Sequence, residues 1–121
     1  MSLVGHNPNV ELNVRSGAAI EPGLRVKWGA TAGQVVVAGD EACIGVTRDR
    51  AFAADEPIVV LDIKAPGTLP FTAGGAIAKG AAFTSTAGGK VVTGAGGVED
   101  YGLAMEAAGG DGAMFAGTSA K

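Results

Sequence analysis

Ile20-Glu-Pro-Gly-Leu-Arg-Val26 is answered further along the chain by Ile77-Ala-Lys-Gly-Ala-Ala-Phe83. The pairing continues outward from there. Thr31-Ala-Gly-Gln-Val-Val36 returns as Ala87-Gly-Gly-Lys-Val-Val92, Ile44-Gly-Val46 as Tyr101-Gly-Leu103, and Asp55-Glu-Pro-Ile-Val-Val60 as Asp111-Gly-Ala-Met-Phe115. The stretch from Ile20 to about Val60 therefore recurs from Ile77 to Phe115, with a period of about 56 residues. A fixed internal period marks one supersecondary unit used more than once. Two copies are too few for a solenoid, which points to a pseudo-symmetric compact domain. The expected relation between the copies is an approximate two-fold axis, with Leu24, Val26 and Val35 answered near Ala81, Phe83 and Val91.

The repeated unit reads as short strands separated by turns. Leu24, Val26 and Trp28 alternate with Arg25 and Lys27, which predicts large apolar groups on one face and charges on the other. Gln34–Ala38, Cys43–Thr47 and Ile58–Ile63 follow as strands, the last the most β-prone segment of the chain. The second copy offers strands at Ala81–Thr84, Val91–Thr93, Tyr101–Ala104 and Ala113–Phe115. Its hairpin glycines, Gly88 and Gly89, suit the positive φ of tight turns. Between the copies, Pro66 and Pro70 forbid a regular central strand, although Thr68–Phe71 fits a sheet edge. Helical periodicity is nearly absent. The predicted fold class is all-β, a small barrel- or sandwich-like domain built from two pseudo-symmetric repeats.

Residues 1–19 lie outside the repeat and read as an extended N-terminal arm, with the β domain over residues 20–121. Asn7-Pro8 and Gly17 are loose, yet Val10-Glu-Leu-Asn-Val14 alternates like a half-buried strand. A segment both detached and strand-like orders when a partner supplies a sheet edge. Val10, Leu12 and Val14 are therefore the expected partner-contact residues; the alternative is an N-terminal strand packed on its own domain.

Size and composition narrow the function classes. The chain has 121 residues, enough for one domain with a modest core. Its apolar fraction is 47%, but much of this is Ala; aromatics are 5% and there are 21 glycines. Little core per residue argues for support from oligomerisation or a large partner. The formal charge is −3 and no Lys/Arg cluster exists, which argues against nucleic-acid binding. A single cysteine, Cys43 in Ala42-Cys-Ile-Gly-Val46, permits no intrachain disulfide and reads as a small buried hydrophobe. Met1-Ser-Leu-Val-Gly-His6 lacks the charged and apolar regions of a signal peptide, and no apolar run reaches bilayer-spanning length.

No reactive constellation emerges. His6, the only histidine, stands in polar coil with no Cys or Ser nucleophile near it in sequence. Asp40-Glu41, Asp55-Glu56 and Glu99-Asp100 fall in turns, where carboxylates are solvated by default. Gly94-Ala-Gly-Gly97 and Gly109-Gly-Asp-Gly112 lack the following helix that a phosphate cradle needs. Lys64, in Asp62-Ile-Lys-Ala-Pro-Gly67, has the look of a biotinyl or lipoyl carrier lysine, but ends a strand instead of occupying a tight exposed hairpin. Neither an enzyme nor a cofactor is expected.

The ordered set Ile20-Glu-Pro-Gly-Leu-Arg-Val26, Gly33-Gln-Val-Val36, Ile44-Gly-Val-Thr47 and Ala54-Asp-Glu-Pro-Ile-Val-Val60 returns as Ile77-Ala-Lys-Gly-Ala81, Gly89-Lys-Val-Val92, Tyr101-Gly-Leu-Ala-Met-Glu-Ala-Ala108 and Gly110-Asp-Gly112. Over residues 18–116 this pattern resembles the capsid cement, or head decoration, proteins of tailed bacteriophages. The second copy departs from it by placing Ala113 where the first has Pro57. The resemblance implies a β-rich module on the outer surface of a virion, made in the host cytoplasm. It implies binding where major capsid protein subunits meet, as a homotrimer. The alternative is a ligand- or carbohydrate-binding β module of a surface assembly, which would show clustered exposed aromatics; Trp28 and Tyr101 instead sit in strand patterns that suggest core or interface.

Overall fold

The computed structural model describes residues 11–39, 43–63, 68–94 and 102–119. Among the described residues ten strands run in chain order: β1 Glu11–Ser16, β2 Arg25–Trp28, β3 Gln34–Val37, β4 Gly45–Thr47, β5 Pro57–Asp62, β6 Thr68–Thr72, β7 Ala82–Ser85, β8 Val91–Thr93, β9 Gly102–Ala104 and β10 Met114–Ser119. A 3₁₀ turn at Ala87–Gly89 joins β7 to β8, and Gly88 and Gly89 both take positive φ there. The all-β expectation holds.

The first five strands form a closed barrel in the order β1-β3-β2-β4-β5, with β5 returning to pair with β1. All pairings are antiparallel except β1 with β3. The second five form a sheet in the order β6-β10-β9-β7-β8. Read in reverse, that order follows the barrel strand for strand, at a spacing of about 57 residues, and the ladder register corrects the pairing read from sequence: Pro57 is answered by Met114 and not by Ala113. The isolated bridges Ile20–Ala51 and Ile77–Ala108 share that spacing. So do the positive-φ turn residues Gly23 with Gly80 and Asp55 with Gly112. The second sheet does not close with a ladder: a single parallel bridge, Ala73 to Val91, stands where β1 pairs with β3.

Burial follows the alternation. In the barrel, Val26, Val35, Ile58 and Val60 point inward and pack with Ile20 and Ala51. In the second unit Phe71, Phe83 and Phe115 occupy the interior. Their ring centroids lie 4.8, 5.5 and 6.0 Å apart, within the range of favourable tilted and edge-on pairs. β5 is apolar on both sides for a reason. Ile58 and Val60 fill the barrel, while Leu61 and Ile63, with Val46 of β4, face outward into the core of the second unit. A strand covered on both faces loses its polar alternation. Each such buried side chain contributes roughly 1.5–3 kcal/mol, so the two units share one continuous apolar contact.

For residues 11–16 the structure takes the alternative to a partner-bound arm, a strand packed on its own domain. Residues 11–16 form a barrel strand, laddered from Glu11 to Arg15 against β5 and bridged through Arg15 and Ser16 to β3. The partner supplying the sheet edge is the chain's own β5. Ser16 secures the end of the strand: its N–H donates to the Glu56 carbonyl and its Oγ to the Ala53 carbonyl, both at 2.9 Å. The repeating unit thus contains five strands, with β1 answered by β6, and Pro70 sits on an edge strand as its chemistry requires.

Two outcomes follow. Deleting residues 1–15 removes most of β1 and opens the barrel, so thermal unfolding of the free protein is expected at a clearly lower midpoint; an unchanged midpoint contradicts the closed barrel. Gly45 lets β4 approach β5: a Cβ there would lie 2.2 Å from the Leu61 carbonyl oxygen. Gly45→Ala is expected to cost about 3 kcal/mol or more in denaturant titration.

Candidate interaction surfaces

The sequence candidates scatter when placed in space. Val10, His6, Lys64, Tyr101, Asp40-Glu41 and Glu99-Asp100 lie outside the described residues. Leu12 and Val14, expected on a partner, are half-buried and pack against the barrel's own core. Asp55 and Glu56 are turn groups with local tasks: Asp55 accepts from the Gln34 amide and Glu56 from the Phe52 N–H. Gly109–Gly112 leads into β10, and Asp111 there accepts from Lys90 Nζ at 2.8 Å. Among the described residues no group of three or more His, Cys, Asp or Glu could hold a metal ion, and no helix is long and apolar enough to cross a membrane.

The group that organises the molecule is Arg25. Alternation along β2 predicts that it faces solvent; instead it is fully buried, and Trp28, expected among the inward groups, is 52% exposed. The outward face of β2 is covered by the second unit. The Arg25 guanidinium reaches across: Nη2 donates to the carbonyls of Thr86 at 2.6 Å, Gly39 at 2.7 Å and Lys90 at 2.9 Å, and Nε donates to Lys90 at 3.3 Å. A planar fork with several donors suits a cluster of backbone oxygens better than an ammonium does. One sign of this was present in the sequence: the second copy has Ala82 in the corresponding place, so the two positions face different surroundings.

The contact between the units uses different faces of each. The barrel presents Gly23, Leu24, Arg25, Val46, Leu61 and Ile63. The second unit receives them with Thr72, Thr86, Gly89, Lys90 and Met114. Fit is close: a Cβ on Gly23 would lie 2.7 Å from Met114 Cε, and one on Gly89 2.9 Å from a Val37 methyl. Their counterparts are open. Gly80 and Gly33 would meet nothing within 4 Å. Leu103, at the position of the buried Val46, is 51% exposed. The expected two-fold relation is thereby corrected, because a two-fold axis would pair the reciprocal faces as well.

Further apolar exposure occurs at Phe52, Met105 and Met114. The Arg50 guanidinium lies 5.8 Å from the Phe52 ring centroid. Among the described residues, the surface has these two open depressions. One of about 310 Å³ lies between β6 and β10 beside Glu106 and Met114. The other, of about 520 Å³, is lined by Asn13, Arg15, Gly33, Gln34, Asp55 and Pro57 of the barrel, among others. Both are wide open and carry no convergent set of reactive groups. Arg48, hydrogen-bonded to Asp49 and attracted by its charge, and then by that of Glu11, is held above the ordinary arginine value and stays charged.

No family model matches the sequence, and no curated protein matches it. Among solved structures, the chain is similar to the N base of the head fiber gp8.5 of bacteriophage phi29. The TM-score is 0.74 at 16% sequence identity, over 93% of this chain and 94% of that one. At this identity the likeness establishes a shared fold, and it spans both units.

Replacing Arg25 by Met keeps the stem but removes the donors that the carbonyls of Gly39, Thr86 and Lys90 share in the junction, of which Lys90 keeps the Thr86 N–H. A loss of about 2–4 kcal/mol is expected in denaturant titration. Arg25→Lys should restore only part of it, because one ammonium cannot reproduce the fork. A loss under about 0.5 kcal/mol for Arg25→Met contradicts the organising role.

Proposed function

We propose that this chain is a structural protein of a phage head, carried on the outer surface of the shell, where it binds at junctions between major capsid protein subunits and stabilises them. The observation that carries this reading is the fold likeness to a phage head fiber base along nearly the full length of both chains. The net charge of −3 suits a surface facing away from DNA. The homotrimer implied by the sequence resemblance belongs to the same reading, since subunit junctions in shells offer three-fold surroundings.

The reading gives the exposed groups a purpose. Trp28, Phe52, Met105 and Met114 are large apolar side chains left in solvent on a chain with few of them to spare. Aromatic and methionine side chains are enriched where proteins meet. Leu12 and Val14 pack into the barrel, so shell contact is assigned to these surface groups.

The exposure of Trp28 also supports the carbohydrate-binding alternative, because an indole face in solvent can stack on a sugar ring. A glycan array separates the two: saturable binding abolished by Trp28→Ala favours the sugar module.

The direct test is co-sedimentation with assembled heads of the phage that encodes the chain, after stripping the heads of this protein. Saturable binding at a fixed number of copies per head is expected, together with a raised temperature of head disruption. Heads that take up none of the protein, under conditions where they remain intact, overturn the proposal.

A further inference from the structure

The two units meet through one pair of faces and leave the reciprocal pair bare. The barrel buries Gly23, Arg25 and Val46 against the second unit. The positions corresponding to them in the second unit are Gly80, Ala82 and Leu103. Gly80 is exposed, Ala82 is half-buried and Leu103 is 51% exposed. On the receiving side the second unit uses Thr72, Gly89 and Met114. Their counterparts in the barrel are Arg15, Gly33 and Pro57, all three exposed. These three also line the depression of about 520 Å³ on the barrel. One end of the molecule therefore carries an unfilled copy of the internal socket, and the other end an uncovered copy of the internal plug.

We infer that copies of this chain join head to tail, the Leu103 face of one seating in the Arg15–Gly33–Pro57 depression of the next. The occupant is a second copy because the surface it needs is the surface this chain presents, and the mode of docking is already realised inside each molecule. Continuity with the internal junction supplies the geometry. Gly80 and Gly33 take positive φ, as Gly23 and Gly89 do, so the turns at the bare faces have the backbone form of those at the internal junction, and no Cβ stands in the way. The contact between copies lacks one element of the internal junction, since Ala82 replaces Arg25 and no guanidinium fork crosses. It is therefore weaker than the internal junction, and association is reversible. A head-to-tail contact closes into a ring when its successive rotations complete a turn and otherwise extends as a filament. The inference stands on the contacts between the units and does not require attachment to a phage head.

The test exploits the two-sidedness of the contact. Leu103→Glu places a charge on the plug and leaves the socket intact; Pro57→Glu places one in the socket and leaves the plug intact. Both positions are exposed, so folding is retained, as circular dichroism and thermal melting will verify. Native mass spectrometry and light scattering over a concentration series into the millimolar range read the outcome. The wild type is expected to form species larger than a dimer, and each variant alone to remain monomeric. Mixing the two variants is expected to yield a heterodimer with one of each mass, because the good plug of one meets the good socket of the other. A wild type that stays monomeric throughout, a wild type that stops at a dimer, or a mixture that stays monomeric overturns the inference.

Discussion

Everything in this molecule leans on the side of β2 that carries Arg25. A fully buried guanidinium is among the most expensive groups to remove from water. It is tolerated here because carbonyls of Gly39, Thr86 and Lys90 converge on it. Those oxygens come from two different units, so the hydrogen bonds of Nε and Nη2 tie the units together. Val46, Leu61 and Ile63 add apolar area around it. The guanidinium adds directional contacts to this apolar area.

The same strand order is filled in two ways. The barrel interior uses β-branched residues, with Val14, Val26 and Ile58 at the positions where the second unit has Phe71, Phe83 and Phe115. Three rings need more room than three aliphatic groups. Part of that room comes from Gly117, which stands where the barrel has Val60: a Cβ there would lie 2.8 Å from the Phe83 ring. At the seam, β6 and β8 share one bridge instead of a ladder. Backbone pairing is given up at one seam and aromatic packing gained across the whole interior. The open seam falls beside Pro70, whose missing N–H could not have served a central ladder.

The strands were legible because their signal is local. Alternation at Leu24–Trp28, the β-branched run at Ile58–Ile63 and the paired glycines at Gly88 and Gly89 each report on a few residues. What escaped depends on distant neighbours. Glu11-Leu-Asn-Val14 and Thr68-Leu-Pro-Phe71 share the alternation of apolar residues and almost no identities, so β1 looked like an arm although it answers β6. Arg25 looked solvent-facing because a strand's polar face is solvated unless something covers it, and the cover arrives from residues 86–90. Trp28 fits the apolar phase of its strand, but it lies at the strand end, opposite Val35 and beyond the filled interior. The surface faces were the least legible of all. Leu103 differs from Val46 in no property that a sequence pattern registers; only the position of the other unit leaves one bare and covers the other.

A duplicated unit docked face to different face has a consequence that a two-fold pair lacks. Two-fold docking consumes both partners' matching surfaces and ends. Docking through unlike faces leaves one of each kind unused at the ends, whatever the sequences that line them. Selection can then blunt those ends or exploit them. Blunting calls for charge or bulk at the exposed positions, as edge strands show in monomeric proteins. Here the plug carries Gly80, Ala82 and Leu103 with no charge among them, and the socket keeps Gly33 without a side chain. Arg15 is the one charged group among the three socket counterparts named, and its guanidinium donates to the Asp55 carbonyl in the turn before β5. The ends have been left fit for contact. For a chain with few aromatics and a small interior, contacts of that kind add apolar burial that a single copy cannot provide.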